Sequence, residues 1–119
     1  MQKHILIIDD NKDLLTMLTA MLKTRGYTVS VSETAENITQ TIKDIQPDVI
    51  MMDMLLSGAD GRDICKLIKA DKNISSIPLL MLSAYPQAVT DCLAAGADGF
   101  VEKPFDMKVL LNKLTSLHG

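Results

Sequence analysis

The sequence predicts a doubly wound α/β domain, in which helices cover both faces of a parallel five-stranded sheet. Short apolar runs alternate with helical patterns five times along the 119 residues, and strand–helix repeats of this kind form parallel sheets. The apolar runs are continuous, as expected for strands that are buried on both sides. The length suits one domain with its own core, and no linker interrupts it, so a single domain is expected over residues 1–119.

The first half of the chain contains three predicted strands and two predicted helices. Apolar residues recur at helical spacing from Leu14 onward, so Met17 and Leu18 are expected on the buried face of the first helix. Gly26 ends this helix as a C-terminal cap, and Pro47 ends the second helix. The predicted elements are, in order, a strand at 4–9, a helix at 12–25, a strand at 27–31, a helix at 34–45 and a strand at 48–53.

The second half adds two strands and three helices. Ile64, Leu67 and Ile68 are expected on the buried face of the third helix, and Asp106 is a suitable N-terminal cap for the last helix. The predicted elements are a helix after the loop LLSGADG, a strand at 77–82, a weaker helix at 86–95 that Gly96 closes, a strand at 99–102 and a helix at 106–117.

Composition excludes several classes of function. The net charge of −3 creates no basic field for nucleic acid, and an aromatic content of 3% argues against base stacking. The apolar runs are far shorter than the ~20 residues of a membrane helix, and no signal peptide is recognisable. Cys65 and Cys92 are expected to be buried thiols rather than disulfide partners or metal ligands. The expected location is the cytoplasm.

Polar residues follow four of the five predicted strands. Asp9 and Asp10 follow the first strand, Asp53 ends the third, Ser83 ends the fourth and Lys103 follows the fifth. Because ligands of open parallel sheets bind beyond the carboxyl ends of the strands, these side chains are expected to converge. Three carboxylates form a hard oxygen site of the kind that Mg²⁺ or Mn²⁺ prefers, and the lysine offsets part of their charge.

This set of groups suits phosphoryl transfer to a carboxylate. An aspartate can act as a nucleophile and form an acyl phosphate, and such a transfer needs in-line positioning and charge neutralisation. Asp53, central in the sheet, is the expected nucleophile, with a cation on Asp10 and Asp53 and with Lys103 and Ser83 binding phosphoryl oxygens. Both histidines lie away from this cluster, so none of its side chains is expected to act as a general base that activates water. The phosphoryl group is therefore expected to stay on the aspartate for a time.

These residues resemble the receiver (CheY-like) domains of two-component response regulators over essentially the whole chain. The spacing agrees as well, with 30 positions between Asp53 and Ser83 and 20 between Ser83 and Lys103. The matching motifs are IIDDN at 7–11, the aspartate after DVIMM, Asp60-Gly61, Ser83-Ala84 and AAGADGFVEKPF at 94–105.

The resemblance implies a role for each matching residue. Asp53 is implied to be the phosphoacceptor and Lys103 the phosphoryl-binding lysine, with a cis bond to Pro104. Asp10 and Asp53 are implied to bind Mg²⁺ directly. The list of implied metal ligands is completed by Asp9, acting mostly through water, and by the backbone carbonyl of Leu55.

The resemblance also implies a fold, a switch and partners. The fold is the flavodoxin-like (βα)5 sheet with strand order 2-1-3-4-5. Ser83 and Phe100 are the implied switch pair, which remodels the surface of the fourth helix, fifth strand and last helix. The implied partners are a histidine kinase or histidine phosphotransfer protein as donor and a downstream protein or attached output domain. Homodimerisation on phosphorylation is a further implied possibility. The chain is thus expected to be a phosphorelay signalling domain rather than an enzyme.

The loop after Asp53 departs from the family pattern. Receivers commonly have Met-Pro where this chain has Leu56-Ser57, and Gly58 follows, so the loop is expected to be looser. Leu55 and Tyr85 flank the expected path of an attacking water. Because both are bulky and Leu55 has no polar group to orient water, slow self-dephosphorylation is expected.

Four other classes compete with this interpretation. A haloacid-dehalogenase-type phosphatase needs a second aspartate where this chain has Leu55, and a flavin carrier needs a phosphate loop that Asp9-Asp10 would repel. A histidine phosphotransfer module would be all-helical. A degenerate receiver that only binds partners stays possible, but it is disfavoured because every phosphorylation residue is present.

Overall fold

A parallel five-stranded sheet forms the centre of the structure, a computed structural model that describes residues 2–119. Its strands pair in the order β2-β1-β3-β4-β5, which is the order that the sequence resemblance implied. The predicted α/β fold and its flavodoxin-like topology are therefore confirmed. The strands are β1 (His4–Ile8), β2 (Thr28–Ser32), β3 (Val49–Asp53), β4 (Leu79–Ser83) and β5 (Gly99–Glu102).

Five α-helices of the described chain connect these strands. The second begins four residues later than the sequence predicted, because Asn37 adopts a left-handed φ of 54° just before it. The predicted helix at 86–95 is divided between a 3₁₀ turn at Pro86–Ala88 and an α-helix. The helices are α1 (Lys12–Thr24), α2 (Ile38–Ile45), α3 (Gly61–Ala70), α4 (Val89–Ala94) and α5 (Met107–His118). No helix within residues 2–119 combines the length and apolar character needed to cross a bilayer.

Each face of the sheet has its own apolar core. One core packs α2, α3 and α4 against the sheet through residues such as Ile42 and Ile68. The other packs α1 and α5 through residues such as Leu18 and Leu114. Cys65 and Cys92 are both buried and free, as predicted from the sequence.

Two residues that were predicted to face the core are exposed. Met17 on α1 is 45% exposed and Leu67 on α3 is 54% exposed. The buried stripe of α1 instead includes Leu15 beside Leu18 and Leu22. These predictions were wrong because apolar residues extend around more of each helix than the sheet covers, so the pattern alone does not show where the stripe ends.

Gly61 brings the start of α3 against the backbone that follows β3. Its N–H donates to the carbonyl of Met54 over 2.6 Å. A Cβ at Gly61 would lie 2.6 Å from the carbonyl oxygen of Asp53 and 2.9 Å from Cα of Met54. Since backbone atoms cannot move aside as a flexible side chain can, only glycine permits this approach.

Gly61→Ala is expected to lower the free energy of unfolding by about 2 kcal/mol, because the added methyl must push the two backbone segments apart. Chemical denaturation measures this change. Gly99→Ala is the matched control: its Cβ would meet a side-chain carbon of Leu80 at 3.0 Å, so a smaller loss is expected. Equal losses in the two variants would contradict the interpretation of Gly61.

Candidate functional site

Asp9, Asp10 and Asp53 meet at the carboxyl edge of the sheet. One carboxylate oxygen from each lies within 4.8 Å of the others. The register of β1 and β3, in which Ile8 pairs with Met52, brings the residues that follow these two side by side. The three acids that were predicted to converge at the strand ends therefore lie together in the structure.

Asp9 is the buried member of this cluster. Its side chain is 1% exposed, and both of its carboxylate oxygens accept hydrogen bonds. Oδ2 accepts from Lys103 Nζ over 2.8 Å, and Oδ1 accepts from the backbone N–H of Asn11 over 2.9 Å. A buried carboxylate needs such compensation, because its charged form has lost most of its hydration.

Lys103 connects two of the acids. Its Nζ also lies 3.3 Å from Asp53 Oδ1, and its backbone N–H donates to the carbonyl of Ser83 over 2.7 Å. The Lys103–Pro104 bond is cis, as the sequence resemblance implied. The ammonium is therefore held over the gap between Asp9 and Asp53.

The other two acids have contrasting environments. Partial burial raises the pKa of Asp53, and the nearby charges of Asp9 and Asp10 act in the same direction, while Lys103 opposes them. Asp10 is exposed, and the hydrogen bond from the Ser57 hydroxyl lowers its pKa. The site therefore combines one partly desolvated carboxyl group, Asp53, with a solvent-exposed one, Asp10, whose charged form is favoured.

Ser83 lies on β4, which pairs with β3, and Phe100 lies on β5, which pairs with β4. Ser83 is buried at the end of β4, one residue beyond Leu82, which pairs with Asp53. Its Oγ accepts a hydrogen bond from the N–H of Tyr85 over 3.0 Å. Phe100 is partly buried on β5 and packs against the core beneath α2, α3 and α4.

The loop after Asp53 is more regular than its sequence suggests. Leu55–Leu56 pairs with Ala59–Asp60 in a short antiparallel ladder, and Gly58 has a φ of +75° in the turn. Ser57 in this turn donates two hydrogen bonds to Asp10. Sequence analysis missed this contact, because a serine beside a glycine is an ordinary turn pair with no signal for a partner elsewhere in the chain.

The residues present fit a hard divalent cation. Three carboxylates within reach of one point form the oxygen-rich donor set that Mg²⁺ and Mn²⁺ prefer. By formal charge, the three acidic side chains and the Lys103 ammonium sum to −2, which a divalent cation would neutralise.

Comparison with known proteins assigns the chain to a family. The family model described as the response regulator receiver domain matches residues 5–115. The chain belongs to this family. The receiver is 33% identical over 116 residues to the DNA-binding response regulator MtrA of Mycolicibacterium smegmatis, a match that covers 96% of the receiver and 50% of MtrA. The receiver therefore spans about half the length of the curated relatives it matches.

Solved structures support the same assignment. The receiver superposes with a TM-score of 0.93 and 29% identity on a protein from Chloroflexus aurantiacus described as a response regulator, covering 99% of the receiver and 98% of that chain. The receiver domain of the sensor histidine kinase PA1611 from Pseudomonas aeruginosa has a TM-score of 0.89 and 28% identity, with 100% and 99% of the two chains covered. That structure has a magnesium ion coordinated in its active-site cleft.

Asp53→Asn is expected to stabilise the receiver in EDTA at neutral pH by about 1–2 kcal/mol, because it removes a partly buried charge beside two like charges. Since folding raises the pKa of Asp53, wild-type stability is lost as pH rises through that pKa, and the advantage of the variant should shrink as pH falls below it. Denaturant unfolding at a series of pH values measures both effects.

The control for this prediction is Asp44→Asn. On the exposed face of α2, Asp44 Oδ1 accepts a hydrogen bond from Gln40 Nε2, and an asparagine at this position keeps that oxygen. A gain in Asp44→Asn equal to the gain in Asp53→Asn, or a gain in Asp53→Asn that does not change with pH, would contradict the role of the acidic cluster.

Proposed function

We propose that the receiver accepts a phosphoryl group on Asp53 from a phosphohistidine and thereby signals in a phosphorelay. The observation that supports this proposal is the position of the Asp53 carboxylate, beside the ammonium of Lys103 and two further carboxylates at the carboxyl edge of the sheet. Family membership supports it as well. The whole of residues 1–119 would act as one receiver module.

The transfer follows from nucleophilic displacement at phosphorus. A carboxylate oxygen of Asp53 forms a bond to phosphorus, the bond between phosphorus and the donor imidazole nitrogen breaks, and that nitrogen keeps the electron pair. Lys103 Nζ, 3.3 Å from Asp53 Oδ1, is placed to neutralise charge on the phosphoryl oxygens. The Ser83 hydroxyl supplies a further hydrogen bond to them. The receiver is thus a signalling phosphoacceptor.

The cation of the proposed reaction is Mg²⁺ or Mn²⁺. Asp10 and Asp53 would bind it directly, Asp9 mostly through water, and the backbone carbonyl of Leu55 would complete the protein ligands. When bound, it neutralises negative charge that accumulates during transfer. The acidic cluster supports this assignment, as does the magnesium ion in the related PA1611 receiver.

Phosphorylation is proposed to change the surface of α4, β5 and α5 through Ser83 and Phe100. Because Ser83 Oγ accepts the Tyr85 N–H in this state, its own hydrogen is available for a phosphoryl oxygen. Movement of the hydroxyl toward that oxygen would open space into which the ring of Phe100 turns. A local change of charge would then bias a two-state surface.

The partners follow from this chemistry. The proposed donor is the phosphohistidine of a histidine kinase or histidine phosphotransfer protein. The proposed output is a downstream protein or an attached output domain. MtrA is a DNA-binding response regulator about twice as long as the receiver, which supports an attached output domain. A homodimer of the phosphorylated form is a further proposal.

Incubation with acetyl phosphate and Mg²⁺ is expected to add the mass of one phosphoryl group to the intact receiver, measured by mass spectrometry. EDTA should prevent the addition, and Asp53→Asn should abolish it, because the amide is not a nucleophile for phosphorus. Asp98→Asn, at a carboxylate that pairs with Lys69 away from the cluster, should still be labelled.

Two results would contradict the phosphoacceptor proposal. One is labelling of Asp53→Asn at the wild-type level, which would place the phosphoryl group elsewhere. The other is a folded wild type that accepts no phosphoryl group from acetyl phosphate or from a panel of phosphorylated kinases, which would favour a receiver that only binds partners.

The phosphorylated receiver is expected to lose its phosphoryl group over minutes or longer, since Leu55 and Tyr85 are bulky and Leu55 cannot orient water. Leu55→Asn should accelerate this loss several-fold, because an amide can hold water in line. Leu67→Asn is the control, since Leu67 on α3 is about as exposed, at 54% against 49% for Leu55. Loss of phosphate measured over time tests both statements, and a wild-type half-life of seconds would contradict them.

A further inference from the structure

Ser57 makes two hydrogen bonds to Asp10 that the proposed function does not use. Its backbone N–H donates to Asp10 Oδ2 over 2.9 Å, and its hydroxyl donates to the same oxygen over 2.6 Å. The two residues are 47 positions apart in the sequence. The contact therefore links the loop after β1 to the loop after β3, and the fold rather than the local chain creates it.

The hydrogen bonds from Ser57 are the main constraint on the position of the Asp10 side chain, whereas the other two acids have several constraints each. Asp9 is buried and held from both sides, and Asp53 is part of a strand and lies near Lys103. Asp10 is exposed on a loop, and like charges from Asp9 and Asp53 repel it. Among residues 2–119, Lys103 forms its ion pairs with Asp9 and Asp53, so the donors that hold Asp10 are those of Ser57.

The turn around Ser57 is built to present these donors. Leu56 pairs with Ala59, which leaves Ser57 and Gly58 as the two residues of the turn. The positive φ of Gly58 allows the chain to reverse in this short distance. The ladder then fixes the position of Ser57 relative to Leu55, whose carbonyl is a proposed ligand in the same loop.

We propose that Ser57 is a positioning residue for the divalent cation, holding Asp10 over the site before the cation binds. This inference rests on the proposed function of the acidic cluster. Both hydrogen bonds end on Oδ2, so Ser57 does not engage the other carboxylate oxygen, Oδ1, which is available to a cation. Because Asp10 is already ordered, less conformational entropy is lost on binding, and affinity increases.

The test is calorimetric titration of the unphosphorylated receiver with Mg²⁺. Ser57→Ala, which loses the hydroxyl and keeps the N–H, should bind Mg²⁺ about tenfold more weakly, the low end of what loss of an outer-shell partner costs. Ser57→Thr restores a hydroxyl and should bind close to wild type. Ser32→Ala is the matched control, because the Ser32 hydroxyl at the end of β2 donates to the carbonyl of Thr34; its affinity should equal that of wild type.

The outcomes separate this inference from the proposed function. If wild type binds Mg²⁺ and Ser57→Ala binds it equally or more tightly, the positioning role is overturned and the cation site stands. A loss in Ser57→Ala that Ser57→Thr does not restore also overturns the role, since the hydroxyl would not be its cause. A wild type that binds no Mg²⁺ at millimolar concentration overturns the cation site and this inference together.

Discussion

The ion pair between Lys103 and Asp9 is the interaction on which the rest of the site depends. Lys103 Nζ lies 2.8 Å from Asp9 Oδ2 and 3.3 Å from Asp53 Oδ1, so one ammonium compensates two partly or fully buried carboxylates. Removal of one partner from a buried pair costs about 3–5 kcal/mol, because the other charge is left unpaired. β1 and β5 do not pair in the sheet, and this contact joins their carboxyl ends across the two strands that lie between them.

The parallel sheet explains why so few residues are enough to form the acidic site. Parallel strands all end at one edge, so a single polar residue after each strand is enough to assemble a site there. The apolar remainder of each strand stays in the two cores, and the strand interiors need no polar group. The unfavourable electrostatic energy is confined to the edge, where the three acids repel each other and partial burial raises the pKa of Asp53. A divalent cation or a cationic side chain reduces that repulsion. Cation binding and folding stability are therefore linked through the same carboxylates.

The loop between β3 and α3 is organised by contacts to other parts of the chain. Gly61 packs its backbone against Met54, and Ser57 donates to Asp10. The contact between Gly61 and Met54 joins the two ends of the loop, and Ser57 ties its central turn to Asp10, so Leu55, which lies between Met54 and the turn, is held from both sides. A looser loop was expected from the loss of the usual proline, but the short ladder and the serine donors provide an alternative constraint on the same residues.

The sequence by itself determined the five strands, their common polar edge and the identity of the residues at that edge. Apolar runs and the residues that end them are local signals, so the pattern alone was enough to place Asp9, Asp53 and Lys103 together. Only the tertiary structure decided which partner each side chain takes. Lys103 bonds to Asp9 across 94 positions and Ser57 bonds to Asp10 across 47, and such choices depend on how distant loops pack, which no local pattern records.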